Sequence, residues 1–328
     1  MAFVELDAQA RAVLDELGAL GAKPTESLSP QQARAQPSTA DAVRALVLRR
    51  GDDPAPEEVG SVEDRSIPGP DGQLAIRIYR PKPADPVDPA LPLLVYFHGG
   101  GWVLGGLDYC DASARGLSNL ARCMVVSVSY RLAPEHRFPA AYDDALAATK
   151  WVLANARELG ADPDRAAIGG ESAGATLATA TCLALAREGH ALLRMQLLVY
   201  PVTDLVGQDY PSYSDSAEAR PLGMERLMWF VGHALPDSDQ LEDFRVSPLR
   251  APLEELAGLP PALVITAASD PLRDQGEAYA LKLMDAGVQT SLTRFPGVMH
   301  GFFLMGAVLD TAQLAVTQAG TALRAAFE

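Results

Sequence analysis

The sequence has three cysteines, five histidines and few aromatic residues, 6% of the chain. Cys110, Cys123 and Cys182 form neither an even disulfide framework nor a C-x-x-C metal pair. They are expected to be buried small hydrophobes in a reducing, cytoplasmic setting. With no H-E-x-x-H and no His/Cys cluster, neither a metal site nor any other cofactor is expected. Basic residues are also short, 27 Lys and Arg against 42 Asp and Glu, for a net charge of −15. Such a chain is a poor partner for nucleic acid or an anionic membrane, which are bound by releasing counterions from Lys and Arg. No apolar run approaches the roughly 18 residues of a membrane span. The start, Met1-Ala2-Phe3-Val4-Glu5-Leu6-Asp7, is acidic where a secretory leader carries positive charge. Internal repeats and low-complexity segments are lacking as well.

What remains is a globular composition, 48% hydrophobic and 21% charged over 328 residues. From Asp7 to Leu20, Val13, Leu14, Leu17 and Leu20 recur at helical spacing, with Arg11, Asp15 and Glu16 on the opposite face. Ser29-Pro30-Gln31-Gln32 reads as a capped helix start, and a third helical pattern runs from Thr39 to Arg49. A Gly/Pro-rich break then sets a boundary near residue 55, giving an N-terminal helical region over 1–55 and a second domain over 56–328. Strands are expected at Leu74 to Tyr79, Leu93 to Phe97, Val125 to Ser129, Ala166 to Gly169, Leu197 to Tyr200, Leu263 to Ala267 and Leu292 to Phe295. A loop carrying Pro81, Pro83, Pro86, Pro89 and Pro92 separates the first two. Strands alternating with helices, and apolar on both faces, predict an α/β fold with a mainly parallel sheet covered on both sides. Chemistry in such folds lies at the carboxyl ends of the strands. Residues 205–244 break the alternation and read as a cap insertion.

Gly170-Glu171-Ser172-Ala173-Gly174 matches G-x-S-x-G where a predicted strand meets a predicted helix, the context of a nucleophile elbow. His98-Gly99-Gly100-Gly101-Trp102 follows another apolar strand. Amides of Gly99, Gly100 or Gly101, with that of Ala173, could hold the oxyanion of a tetrahedral intermediate. His98 is expected to brace this loop. Of the other histidines, His190 and His233 read as surface residues and His136 precedes the elbow. His300, after the last strand, is the expected base. Asp270, after the strand Leu263 to Ala267, is favoured over Asp274 as the acid, on the order Ser, acid, His. Tyr142-Asp143-Asp144 is expected to be structural.

At this point the chain resembles the hormone-sensitive-lipase family, or bacterial family IV, of α/β-hydrolase esterases. The resemblance rests on His98 to Trp102, Tyr130-Arg131-Leu132-Ala133-Pro134-Glu135, Gly170 to Gly174, Asp270-Pro271-Leu272-Arg273-Asp274 and Met299-His300-Gly301-Phe302, in that order from about residue 60 onward. It implies an α/β-hydrolase fold with a helical cap, Ser172 as nucleophile, His300 as base and acid, and Asp270 as the orienting carboxylate. The amides of Gly100, Ala173 and one adjoining glycine would form the oxyanion hole, and an acyl-enzyme would be cleaved by water. Glu171 in place of the commoner Asp is a mild departure, as is Ala175 where many relatives have Gly. The implied substrates are short to medium acyl esters, and we assign Trp102, Met228, Trp229 and Phe230 to the apolar wall of the acyl pocket. A homodimer is a further family expectation.

Amide or lactone hydrolysis by the same residues is the second enzymatic reading, since a fold does not fix the leaving group. A non-catalytic small-molecule binder is the third. Relatives of that kind lack the histidine that stands here as His300.

Overall fold

The three helices expected in the N-terminal region form. In this computed structural model, which describes residues 5–83, 90–190, 193–207, 209–235 and 237–328, the Asp7 side chain accepts from the Ala10 amide at 2.7 Å and starts α1 (Ala8–Ala19). Ser29 and Gln32 make a reciprocal capping box at α2 (Pro30–Ala35), and Ser38 and Asp41 do the same at α3 (Thr39–Arg50). Gly51, in the left-handed region, ends α3. Val13 and Ala10 of α1 are buried with Ala42 and Val47 of α3. Glu16 departs from its expected place on the polar face. Because α3 lies across that side, Glu16 is 5% exposed and ion-paired to Arg49 at 2.5 Å.

Beyond the boundary follow β1 (Ser61–Gly69), β2 (Gly72–Arg80), β3 (Leu91–Phe97), α4 (Asp111–Ala121), β4 (Met124–Ser129), α5 (Ala140–Leu159), β5 (Ala161–Glu171) and α6 (Ala173–Arg187). Then come β6 (Leu193–Val199), α7 (Pro211–Asp215), α8 (Met224–Ala234), α9 (Leu253–Leu256), β7 (Ala262–Ser269), α10 (Arg273–Asp285), β8 (Thr290–Met299) and α11 (Asp310–Phe327). The strands form one sheet in the order β1-β2-β4-β3-β5-β6-β7-β8. β2 runs antiparallel to β1 and β4, and every pairing from β4 to β8 is parallel. β1 escaped the strand reading because it is an edge strand, mostly exposed, with Ile67 as its one buried residue. Its hydrogen bonds, not its hydropathy, make it a strand. Pro92 lies inside β3 instead of the preceding loop. The pairing with β5 shifts register between Leu91 and Leu93, which accommodates a residue without an amide hydrogen. Pro86 and Pro89 lie outside the described residues.

Two apolar layers sandwich the sheet. Leu93, Val95 and Phe97 of β3 face α5 and α6, in one apolar cluster with Val152 and Leu183. Leu94 and Tyr96 point the other way, toward α4, α11 and the N-terminal helices. This two-sided burial explains why β3 is apolar at every position, at roughly 1.5–3 kcal/mol for each large side chain removed from water. The three cysteines are buried and free. Among the described residues no helix is long and apolar enough to cross a membrane.

Two segments lie at the carboxyl end of the sheet. Within residues 205–244, α8 turns Leu227, Phe230, Val231 and Ala234 inward. From the N-terminal region, Arg34 donates to the carbonyls of Val103 at 2.9 Å and Ala133 at 2.7 Å, and pairs with Glu135. The two segments touch each other through Trp229 Nε1, which donates to Leu28 O at 3.0 Å.

Candidate active site

Ser172 stands between β5 and α6 with φ 55° and ψ −121°, a left-handed conformation that costs an L-residue about 1–3 kcal/mol. The surrounding backbone enforces it. The Ser172 amide donates to Val199 O at 2.9 Å, and Gly174 lies so close to β3 that a Cβ there would sit 2.2 Å from Phe97 O and 2.4 Å from His98 O. A Cβ on Gly170 would meet the Gly174 carbonyl at 2.5 Å. Both glycines of the motif are therefore required by backbone approach.

The serine points at the loop after β8. Ser172 Oγ lies 3.0 Å from His300 Nε2, and His300 Nδ1 lies 2.7 Å from Asp270 Oδ2. Asp270 is fully buried, and its Oδ1 accepts the Leu272 amide at 2.9 Å, which fixes the carboxylate plane. Asp274, the competing acid, is occupied elsewhere: it pairs with Arg273 and accepts the Ser212 amide at 2.7 Å. Asp144 is likewise taken up by Arg131, as the structural reading of that acidic pair expects. The remaining histidines stay away. His136 and His190 are exposed, and His233 is half-buried with its ring against Trp229.

The glycine loop lies beside the elbow. A Cβ on Gly99 would stand 3.4 Å from Ser172 Cβ. Gly100 and Gly101 both have positive φ, and side chains there would strike the Leu104 carbonyl and the Phe230 ring at 2.3 Å each. Val103 and Leu104 donate to Gly100 O, closing the loop into a tight turn. Ala173 is the first residue of α6, where no helical carbonyl is available to its amide. His98 braces this loop as expected, fully buried, with Nδ1 2.7 Å from Gly99 O and its ring stacked on Tyr130 at 4.2 Å.

Burial lowers His98 to about 4, so the folded protein binds fewer protons there than the unfolded chain between pH 6.5 and 4. Its contribution to stability is complete above about pH 6.5 and is lost as pH falls through 4. At about 1.4 kcal/mol per pH unit, wild type should lose on the order of 3 kcal/mol over that window relative to His98→Asn. Urea unfolding at pH 7 and pH 4.5 measures this, and equal losses in both proteins would refute it.

Four further residues carry weight that the motifs did not reveal. Glu171 is buried and accepts hydrogen bonds from Tyr96 Oη at 2.6 Å, Ser113 Oγ at 2.9 Å and Tyr200 Oη at 3.0 Å. Burial raises this carboxyl, against the three hydroxyls and the nearby His300, which favour its charge. Tyr200, with φ 36°, tilts its ring against His300 at 4.6 Å. Its signal in the sequence was its position as the last residue of an expected strand, at the reactive edge of the sheet. Ser113 and Tyr96 offered none, being a helix serine and a core tyrosine until the fold brings them to Glu171.

The assigned apolar wall needs one correction. Trp102 is buried beside a small cavity with Phe138, Tyr142, Leu177 and Leu235. Phe230 covers Gly101, and Trp229 packs edge-on against Phe230. Met228, however, is 58% exposed, because α8 turns positions 227, 230 and 231 inward and leaves 228 on the outer face.

A family model described as alpha/beta hydrolase fold matches residues 94–304, which contain the glycine loop, the elbow, Asp270 and His300. The chain belongs to the hormone-sensitive-lipase family of α/β-hydrolase esterases. It is 41% identical over 270 residues to a carboxylesterase of Mycobacterium tuberculosis, covering 81% of this chain and 83% of that protein. It is 40% identical over 294 residues to an ethyl acetate hydrolase of Pseudomonas putida, covering 88% of each. A thermostable esterase from Pseudomonas putida superposes with a TM-score of 0.88 at 34% identity, over 100% of this chain and 99% of that one. Like these family members, it is a carboxylic ester hydrolase.

Proposed function

We propose that this esterase cleaves short to medium chain acyl esters through Ser172, His300 and Asp270 by way of an acyl-enzyme. The observation that carries the reading is the unbroken chain of hydrogen bonds from Ser172 Oγ through His300 to buried Asp270. Ser172 Oγ attacks the ester carbonyl carbon while its proton passes to His300 Nε2, and the resulting imidazolium is stabilised by Asp270. The C–O bond to the alcohol then breaks, and the departing oxygen takes the proton from Nε2. Water adds to the acyl-enzyme by the same route in reverse, giving up a proton to His300 that returns to Ser172 as the acid leaves. The Ala173 amide, with those of Gly100 and either Gly99 or Gly101, would receive the oxyanion. One such donor is typically worth about 10²–10³ in rate.

Hydrolysis of p-nitrophenyl esters from acetyl to palmitoyl, by wild type and by Ser172→Ala, tests this reading. Turnover peaking at short and medium chains and lost with the serine is expected. A folded wild type inert on the whole series would overturn it in favour of the amide or lactone reading.

The N-terminal helices and residues 205–244 act in this proposal as a cap that shapes the acyl site. The contacts of Arg34 with the loop beyond Trp102, and of Leu28 with Trp229, support that role for residues 25–35. Deleting residues 1–35 should change the chain-length optimum or lower kcat/KM severalfold. The helices after residue 55 should keep their far-UV signal. Unchanged kinetics in the truncated protein would sink the cap assignment.

A further inference from the structure

Arg226, on the inner turn of α8, has little to do within the described structure. Its guanidinium makes one hydrogen bond among the described residues, from Nη1 to Pro221 O at 2.7 Å. Its Nε is fully buried with no partner, although the residue as a whole is half-buried, and it forms no ion pair with a carboxylate among the described residues. The guanidinium carbon lies 5.5 Å from the centre of the Phe230 ring, and that ring covers Gly101 of the glycine loop. Tyr109 stands at Gly99 of the same loop, its ring edge 3.5 Å from where a Cβ on Gly99 would be. That same Cβ would be 3.4 Å from Ser172 Cβ, so the two aromatic rings flank the loop at the serine. Desolvation depresses Arg226 below an ordinary guanidinium, with Tyr109 and Glu26 acting on it in the opposite direction. Glu26 lies on the N-terminal segment that touches α8 and is half-buried, with no hydrogen bond to Arg226.

A cation of this kind is costly. Leaving a buried charged donor unpaired forfeits a charge-assisted hydrogen bond and its solvation, and arginine keeps its proton at any working pH. In a chain with 15 surplus negative charges, an anionic ligand meets general repulsion, so an unpaired guanidinium against the Phe230 ring that covers the glycine loop supplies a specific exception.

We propose that Arg226 is a specificity residue that receives a carboxylate carried by the substrate, making short-chain hemiesters of dicarboxylic acids a preferred class. This rests on the esterase reading above and narrows its substrate. Nη2, which has no partner among the described residues, meets one carboxylate oxygen, and Nε completes the planar fork once the side chain turns toward the glycine loop, over which the ester carbonyl lies.

The test compares monomethyl succinate, glutarate and adipate with neutral methyl esters of equal chain length, by proton release, in wild type, Arg226→Gln and Arg226→Lys. The ratio of kcat/KM for hemiester over neutral ester should fall about tenfold or more in Arg226→Gln, mainly through KM, and recover in part in Arg226→Lys. A ratio that is the same in all three proteins overturns the proposal. So does a joint loss of melting temperature in Arg226→Gln and Glu26→Gln with no change in ratio, which would make Glu26 the partner of the arginine. Binding is read separately from turnover by calorimetry of monomethyl glutarate with Ser172→Ala and with Ser172→Ala/Arg226→Gln. Binding that weakens about tenfold with Arg226→Gln supports the site even if wild type cleaves none of the esters, an outcome that would count against the esterase reading alone. Equal binding to both variants refutes the site itself.

Discussion

Ser172→Ala should reduce turnover of p-nitrophenyl butyrate by about 10⁴-fold or more, leaving the residual rate that the loop amides and binding alone provide. The size of the effect follows from the relay. In the proposed mechanism His300 and Asp270 activate Ser172 in the first step, since Nε2 faces Ser172 Oγ at 3.0 Å. A fall of tenfold or less would mean that water, not the serine, attacks the ester. The same position separates catalysis from stability. Ser172 holds a φ of 55°, so Ser172→Gly releases about 1–3 kcal/mol of backbone strain against an entropy cost of about 0.5–1 kcal/mol. Ser172→Gly should therefore be as inactive as Ser172→Ala and melt at or above its temperature, which calorimetry of the two variants checks. A glycine variant that melts well below the alanine variant would show that the elbow stores no strain.

Asp270→Asn should be almost as damaging, about 10⁴-fold in kcat, although it changes one atom. The Leu272 amide needs an acceptor at 2.9 Å, which the side-chain oxygen of asparagine must supply. That turns the new NH₂ group toward His300 Nδ1. Nδ1 must then accept, so the ring proton moves to Nε2, where it faces Ser172 Oγ and leaves no base for the hydroxyl proton. Asp274→Asn is the matched control. Its carboxylate serves Arg273 and the Ser212 amide, so its loss should appear in unfolding and spare most of kcat. Were Asp274→Asn the variant that lost 10⁴-fold and Asp270→Asn the mild one, the assignment of the acid would be reversed.

Much of this was legible in the residues because the chemistry demands local signatures. The elbow shows as G-x-S-x-G since both glycines lie against backbone, and the capping box of α2 shows at Ser29 and Gln32. β3 shows as an unbroken apolar run because both its faces are covered. What stayed hidden is set by tertiary contact. Glu16 looked solvated until α3 crossed it, β1 lacks an apolar pattern because it is an exposed edge, and Met228 joined an apolar cluster whose helical phase turns it outward. The hydroxyl cage of Glu171 draws on Tyr96, Ser113 and Tyr200, separated by up to 104 positions (200 − 96), so no window of sequence contains it.

The close approach of Gly174 to the carbonyls of Phe97 and His98 joins the serine turn and the glycine loop into a single backbone unit. In the proposed mechanism, attack and charge reception are thus fixed relative to each other before any substrate arrives, and neither can be retuned alone without a steric clash. Diversification of this enzyme has to come from outside that unit. Residues 25–35 and α8 approach this region through side chains, Arg34 at Val103 O and Phe230 at Gly101. A library built on those two segments would sample new specificities on an unaltered reaction centre, whereas one built on residues 97–101 or 170–174 would mostly sample misfolded chains.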